Sequence, residues 1–120
     1  MLKKNYEEVD EKQAILMDGT KVDGVYIRWL IDDNSGSENF AMRRIEIKPE
    51  RSVPLHNHLE DHEIYVLSGS AKFYNDVGYE EIVKEGDTVY IPPNEKHGIE
   101  NLSEKNFAFL CIIPILKNKR

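Results

Sequence analysis

Short runs of β-branched and aromatic residues, separated by turn-forming residues, recur along the whole chain. The runs that read as strands are 25–31, 40–47, 63–69, 70–74, 79–83, 87–91 and 106–113. Asp-Gly pairs and stretches rich in Asn, Asp and Gly lie between them and favour reversal of the chain. No segment has a convincing helical period, and only 6–16 is a candidate helix. The pattern predicts an all-β fold, either a sandwich or a barrel.

Length, charge and apolar content narrow the classes of protein that fit. A chain of 120 residues is expected to form one domain, 1–120, with its own core. A net charge of -6 argues against a nucleic-acid partner, because the only basic cluster is the tail 117–120, which reads as a solvated end. The sequence shows neither a signal peptide nor an apolar run that could span a membrane, so we expect a cytoplasmic protein with no membrane partner. Cys111 is the only cysteine, which excludes an internal disulfide.

All four histidines lie in two short segments. His56, His58 and His62 fall in PLHNHLEDHEIYVLSG, and His97 falls in GDTVYIPPNEKHGIEN. Imidazole is the commonest metal-binding side chain, and residues two apart on a strand share a face, so His56 and His58 can point at one ion. The spacing therefore predicts a metal site completed by histidines from other strands.

These two segments resemble the paired motifs of the cupins, small jelly-roll β-barrels that hold a metal inside the barrel. The first motif, at about 50–69, has a His-X-His pair, a third ligand after three or four residues, and a glycine six residues later. The second motif, at about 86–101, has glycine, proline, histidine and asparagine at set spacings. The matching positions here are His56, His58, His62 and Gly69 for the first motif, and Gly86, Pro92, His97 and Asn101 for the second. The resemblance implies a small jelly-roll barrel of two antiparallel sheets.

Two positions carry another residue where the cupin motifs have glycine. Glu50 stands at the start of the first motif, and Asn94 stands inside the second. Asparagine tolerates the left-handed backbone conformation that such a turn needs, and a turn can still form at Glu50. We therefore expect turns at both positions.

The third ligand of the first motif is the larger departure, because cupins usually have a glutamate there. Here the motif spacing falls on His62, and Glu63 follows one residue later. Alternation along a strand prevents both from pointing inward unless a bulge intervenes, so Ile64 and Val66 should accompany His62. The six-residue gap to glycine favours His62, which leaves Glu63 as a strand-edge charge or a hydrogen-bond partner behind the ligands.

The resemblance to small cupins with four histidines implies that one divalent transition metal is bound by His56, His58, His62 and His97. Four imidazoles suit manganese, iron, cobalt, nickel, copper or zinc, and disfavour calcium and magnesium. Manganese or iron is favoured, because an octahedral ion would keep positions open for water, dioxygen or substrate. A four-coordinate zinc could instead form a closed structural site.

The walls of the pocket should be apolar. The candidates are Phe40, Met42, Ile64, Val66, Ile99, Phe107, Phe109 and Cys111. Phe107, Phe109, Cys111 and Ile113 share one face of the last strand, so all point inward or none does. Arg28, Arg43 and Arg44 lie in strands, and we expect them on an outer face or at an interface, although one that pointed inward could bind a substrate carboxylate.

Three classes of function fit a metal-binding cupin with a small-molecule substrate or ligand. The first, which we prefer, is a metal-dependent oxygenase or dioxygenase. The second is a metal-dependent isomerase or lyase, weakened because no inward acid or base is evident in the sequence. The third is a non-catalytic binding or sensing module. We also expect a homodimer that buries a face of the sheet containing 25–31, because small jelly rolls leave sheet edges exposed and Tyr26, Trp29, Tyr65 and Leu67 cannot all point inward.

Overall fold

The computed structural model describes residues 1–116, and nearly all of its regular structure is β-strand. The basic tail at 117–120 lies outside the described residues. The strands are β1 (Glu11–Ile15), β2 (Lys21–Ile31), β3 (Phe40–Ile47), β4 (Ser52–His56), β5 (His62–Ser68), β6 (Ser70–Asn75), β7 (Glu80–Lys84), β8 (Thr88–Ile91), β9 (His97–Glu100) and β10 (Phe107–Pro114). Two short 3-10 turns cover Tyr6–Glu8 and Asp33–Ser35. No helix among the described residues is long and apolar enough to cross a membrane.

The candidate helix at 6–16 is wrong. That segment forms one 3-10 turn and then β1, which pairs with β2 in antiparallel register. Ala14 is buried and Leu16 packs against the core, with Ile15 exposed between them, a spacing of two rather than a helical period. Pairing with the long strand β2 overrides the weak helical propensity of this segment.

The strands form two antiparallel sheets. The six-stranded sheet has the order β1-β2-β3-β10-β5-β8, and the four-stranded sheet has the order β4-β9-β6-β7. This arrangement confirms the all-β jelly-roll fold, although strand pairing within residues 1–116 does not close the two sheets into a barrel. Consecutive strands often belong to different sheets, so residues distant in sequence meet between them.

The core lies between the sheets and follows the alternation of each strand. On β10, Phe107, Phe109 and Cys111 are buried together and Ile113 packs against them, as expected from their shared parity. Phe73 from the opposite sheet meets the rings of Phe107 and Phe109 at centroid distances of 6.0 and 6.2 Å. These edge-to-face contacts fix the spacing of the two sheets at this end.

The expectation that Phe40 and Met42 line the interior is wrong. Phe40 is 63% exposed and Met42 is only partly buried, whereas Ala41, Ile45 and Ile47 are buried. The inward parity of β3 is therefore the odd-numbered one, which carries Arg43 as well. The other apolar candidates on the list, including Ile64, Val66 and Ile99, do lie in the core.

Turns with left-handed backbone occur at the motif positions. Glu50 has a φ of 64° and Asn94 a φ of 65°, and no other non-glycine residue in residues 1–116 has a positive φ. Gly69, between β5 and β6, has a φ of 84°, and a Cβ there would meet the carbonyl oxygen of Asn106 at 2.6 Å. The glycine of the first motif is therefore needed for two reasons: it adopts the left-handed backbone conformation, and there is no room for a side chain.

Candidate metal centre

The four histidines meet at one end of the space between the two sheets. His56 ends β4 and His97 begins β9, and the two are register partners in the four-stranded sheet. His62 begins β5 in the six-stranded sheet. His58 lies in the loop between β4 and β5, not on a strand with His56 as the sequence suggested. The loop brings its ring to 5.4 Å from that of His56, measured between centroids.

A local irregularity at Pro54 places His56. Proline cannot donate to a strand ladder, so it is tolerated on the edge strand β4. The register shifts between Val53 and His56, and the carbonyl oxygen of Pro54 accepts a hydrogen bond from His56 Nδ1 at 2.8 Å. The shift in register therefore turns the His56 side chain inward, and the hydrogen bond to Pro54 fixes the orientation of its ring.

Backbone carbonyls orient two further rings in the same way. His58 Nδ1 donates to the carbonyl oxygen of Glu60, and His97 Nδ1 donates to that of Glu95, each at 2.8 Å. A neutral imidazole has one N–H, so a donating Nδ1 leaves the Nε2 lone pair free for an ion. One ring nitrogen from each of His56, His58 and His97 lies within 4.8 Å of the others. These three side chains could hold a metal ion.

His62 lies against the same cluster from the opposite sheet. Its side chain is buried, with Nε2 2.7 Å from His58 Nε2 and its ring centroid 5.1 Å from that of His97. Glu63 is exposed and pairs in register with Tyr90, on the other side of the sheet. His62, Ile64 and Val66 are buried alternately with exposed or less buried neighbours, as strand parity requires.

Burial lowers the pKa of three of the four histidines, His58, His62 and His97. It holds the pKa of His62 at about 2, with the Arg43 guanidinium adding to the effect. Burial also brings the pKa of His97 to about 4, against the opposing hydrogen bond to the Glu95 carbonyl. The pKa of His58 is lowered as well, first by burial and then by His56. Burial therefore favours the neutral form of these three rings, which is the form that binds metal.

Arg43 points inward, so its expected place on an outer face is wrong. Its Nη2 donates to Cys111 Sγ at 3.0 Å and lies 3.3 Å from His62 Nδ1, and its guanidinium stacks on Trp29 with Cζ 5.3 Å from the ring centroid. Arg43 Nε is buried without a hydrogen-bond partner in the part of the chain that the structure describes. Arg43 lies at an odd-numbered position of β3, like the buried Ile45 and Ile47. This alternation is the sequence signal from which its inward direction could have been predicted.

Arg28 and Arg44 lie as expected on the outer side. Both guanidinium groups stack on the ring of Tyr6, with Cζ at 5.5 and 4.4 Å from its centroid. Arg28 also donates to the carbonyl oxygen of Val9 at 2.8 Å. These two arginines fasten the N-terminal segment to β2 and β3 and take no part in the histidine cluster.

A cavity of about 330 Å³ opens beside the histidines. Its walls are mainly apolar, and its two charged lining residues are Arg43 and Glu60. The Glu60 side chain is only 13% exposed, and its Oε1 lies 3.9 Å from His58 Nδ1. Sequence reasoning missed Glu60, because nothing in its spacing distinguishes it from other charged loop residues.

The fold and the histidine cluster define a double-sheet protein with a site that could hold a metal ion between its sheets. Residues 43–113 match the family model for the cupin domain, and the chain belongs to the cupin family. Membership confirms the family that the two motifs suggested.

Among the curated proteins, the chain is similar to an oxalate-binding protein from Thermotoga maritima. The two are 33% identical over 73 residues, which are 61% of this chain and 60% of that protein. The match thus spans less than two thirds of the relative's length.

Two solved structures are similar over most of the chain. The polyketide cyclase RemF from Streptomyces resistomycificus has a TM-score of 0.83 and 28% identity, over 99% of this chain and 89% of that one. A predicted oxalate decarboxylase from Thermotoga maritima has a TM-score of 0.76 and 26% identity, over 93% of this chain and 97% of that one. The named activities of these proteins differ, so the similarity alone does not select a substrate.

Proposed function

We propose that this cupin binds one divalent transition metal through His56, His58, His62 and His97, and uses it to bind and convert a small organic molecule. The observation that carries the proposal is the fixed orientation of the rings. The Nδ1 atoms of His56, His58 and His97 are committed to backbone carbonyls, and one ring nitrogen from each of the three lies within 4.8 Å of the others. Preorganised imidazole nitrogens suit a divalent transition metal. We favour manganese or iron, with nickel, copper, cobalt and zinc as further candidates.

The substrate we propose chelates the metal with oxygen atoms and carries an apolar body. The cavity of about 330 Å³ has Leu16, Ile27 and Phe109 among its walls, which would desolvate a ligand much larger than oxalate. Arg43 can pair with an anionic group of the ligand, because its buried Nε has no partner within residues 1–116. The relatives whose names mention oxalate support a ligand with chelating oxygen atoms. The similarity to a polyketide cyclase supports a ligand with an apolar body.

The reaction class that Glu60 favours is redox-neutral: an isomerase- or lyase-type conversion. Glu60 supplies the inward carboxylate that the sequence did not reveal, and it lines the cavity beside His58. A carboxylate in that place can move a proton to or from a bound substrate. A metal held by the histidines would supply Lewis-acid polarisation of a substrate carbonyl.

A dioxygenase is the second candidate. The apolar walls of the cavity and an ion with open coordination positions would suit a small phenolic or diketone substrate and dioxygen. A non-catalytic binding module would bind the same metal and ligand but would not convert the ligand. Oxygen uptake and product analysis with the metal-loaded protein separate these classes.

The metal set is tested with matched variants. His62→Ala and His58→Ala should lower metal occupancy to a similar extent, because each removes one bond to the ion. Glu63→Gln is the control, being one residue from His62 but exposed on the other side of the sheet. Metal content is measured by mass spectrometry after loading with manganese or iron. A metal-free Glu63→Gln protein beside a metal-replete His62→Ala protein would overturn the four-histidine centre.

The ligand is tested by calorimetry on the metal-loaded protein. An aromatic molecule with adjacent hydroxyl and carbonyl oxygens should bind more tightly than oxalate, and Arg43→Met should weaken ligands that carry an additional carboxylate. Tighter binding of oxalate than of any apolar chelator would contradict the proposed substrate class. Glu60→Gln should abolish turnover of a redox-neutral substrate while metal binding is kept. Stoichiometric oxygen uptake would instead favour the dioxygenase.

A further inference from the structure

His62 differs from the other three histidines in what its Nδ1 faces. The Nδ1 atoms of His56, His58 and His97 donate to backbone carbonyls, whereas His62 Nδ1 lies 2.7 Å from Cys111 Sγ and 3.3 Å from Arg43 Nη2. The sulfur also accepts a hydrogen bond from Arg43 Nη2 at 3.0 Å. His62, Arg43 and Cys111 therefore form one hydrogen-bonded cluster behind the metal centre.

The two neighbours of His62 Nδ1 differ in the tautomers that they allow: Arg43 allows one, whereas Cys111 is able to accept and so permits the other. A guanidinium can only donate, so a bond from Arg43 to Nδ1 places the single ring proton on Nε2, which then has no lone pair for a metal. A sulfur can accept, so Nδ1–H donated to Cys111 leaves Nε2 free to bind the ion. The ligand role of His62 depends on which contact prevails.

We infer that Cys111 is a positioning residue that makes His62 a metal ligand, by accepting its Nδ1–H against the competing donor Arg43. The inference rests on the proposed four-histidine centre. In the metal-loaded protein the ring proton resides on Nδ1 and points at Sγ, while Arg43 keeps its own bond to the same sulfur. Coordination of the ion by His62 therefore needs an acceptor at residue 111.

The strand register makes this cluster rigid. Cys111 on β10 pairs with Arg43 on β3 and with Ile64 on β5, so it stands between the strands that carry its two partners. Its side chain is fully buried, at 0% exposure, in the central part of the six-stranded sheet. Neither water nor a rotation of the backbone can easily replace the sulfur as acceptor.

The test compares Cys111→Val, Cys111→Ser, Arg43→Met and the double variant Cys111→Val/Arg43→Met. Zinc affinity is measured by competition with a fluorescent chelator, and His62→Ala supplies the reference for loss of one ligand. Cys111→Val should lose zinc affinity nearly as much as His62→Ala, within the roughly 10–100-fold range of a residue that orients a ligand. Cys111→Ser should stay within a few fold of the wild type, since a hydroxyl also accepts.

The double variant separates a tautomer effect from damage to packing. Removing Arg43 removes the donor that traps the wrong tautomer, so Cys111→Val/Arg43→Met should recover most of the lost affinity. Arg43→Met alone should bind zinc at least as tightly as the wild type, a readout that remains if the valine variants fail to fold. Recovery is not expected if Cys111 only fills space.

A direct readout comes from the ring nitrogens. Long-range proton–nitrogen correlation spectra of the zinc-loaded wild type should show His62 protonated at Nδ1, and those of Cys111→Val should show it protonated at Nε2. Unchanged affinity and an unchanged tautomer in Cys111→Val, beside a loss in His62→Ala, would overturn the inference and keep the four-histidine centre. No loss in His62→Ala would overturn the centre itself.

Discussion

His56 and His97 face each other across neighbouring strands, as register partners of β4 and β9 with ring centroids 4.4 Å apart. Two residues 41 positions apart in the sequence are thus placed by a single strand pairing. Any change that moves the β4–β9 register by one residue would turn one of the rings away, because successive side chains point to opposite faces. The stability of this register therefore governs the site.

Stability of the metal-free protein should fall as the pH falls. The folded pKa is about 2 for His62 and about 4 for His97, whereas the unfolded chain protonates both near 6.5. Stability from the neutral rings is complete above about pH 6.5 and declines below it, because the unfolded state then binds more protons. Between about pH 6.5 and 4 the two rings together contribute a slope of up to about 2.7 kcal/mol per pH unit.

Urea unfolding at a series of pH values checks this slope in chelator-treated protein. His62→Gln should reduce it by about half in that window, since one titrating ring is removed. Below about pH 4 only His62 should still contribute. A slope that is the same in the variant and the wild type would contradict the burial effect on His62.

Replacement of Asn101 should destabilise the fold strongly. Its buried amide donates to the carbonyl oxygens of Ile47, Lys48 and Lys105, and its Oδ1 accepts from Ser103. Asn101→Asp would turn three donated bonds into repulsions between oxygens, at a cost of about 3 kcal/mol or more. Chemical denaturation measures the loss, and Ser103→Ala, which keeps the amide bonds, should cost far less. Equal losses in the two variants would contradict a pinning role for the amide.

Glycine at position 50 should stabilise the protein. Glu50 holds a left-handed backbone that costs an ordinary residue about 1 kcal/mol, and glycine adopts it freely. Part of that gain is offset by the greater freedom of glycine in the unfolded chain, so a net gain of up to about 1 kcal/mol is expected. Asn94→Gly should gain less, because asparagine tolerates this conformation.

Thermal and urea denaturation measure both changes. Glu50→Ala is the matched control, since alanine has the same backbone penalty as glutamate and should leave stability nearly unchanged. If Glu50→Ala and Glu50→Gly gave equal stabilities, the side chain rather than the backbone would be responsible.

The homodimer stays a prediction, and the structure suggests its surface. Tyr65 on β5 and Leu110 on β10 are register partners on the outer face of the six-stranded sheet, and Tyr65 is 49% exposed. Leu110→Arg should convert a dimer to a monomer in sedimentation equilibrium, because a charge would have to be desolvated at the interface. Ile82→Arg, at an exposed position of the other sheet, is the control. A wild type that sediments only as a 14.0 kDa species at micromolar concentration would rule out the dimer.

Much of the fold could be predicted from the sequence, because alternation and turns are local signals. The strands β2, β3, β5 to β8 and β10 were located within a few residues, and the inward face of β10 was predicted correctly. The strands β1, β4 and β9 were missed, since two of them carry proline or histidine and little β-branched sequence. Long-range pairing, rather than local propensity, decides such segments.

The meeting of the four histidine rings could be predicted from the sequence, but their surroundings could not. The motif spacing was enough to predict that the four rings lie together. The inward direction of the Arg43 side chain depends on which face of β3 is buried, and the direction of Glu60 depends on the conformation of a loop. Of the four large side chains that could not all point inward, Trp29 is one that does, since its ring stacks on Arg43 and lines the cavity. Contacts between charged groups and a cavity arise from tertiary packing, which a single sequence does not encode in any local pattern.

The histidines belong to both halves of the fold: His56 and His97 to one sheet and His62 to the other. An ion bound by histidines from both sheets would cross-link the two sheets at this end of the fold. Without it, that end would lose the bonds made through the ion, and the two halves would part more often. Proteases act on such openings, so in a metal-starved cell the lifetime of the protein, rather than its synthesis, would follow the metal supply.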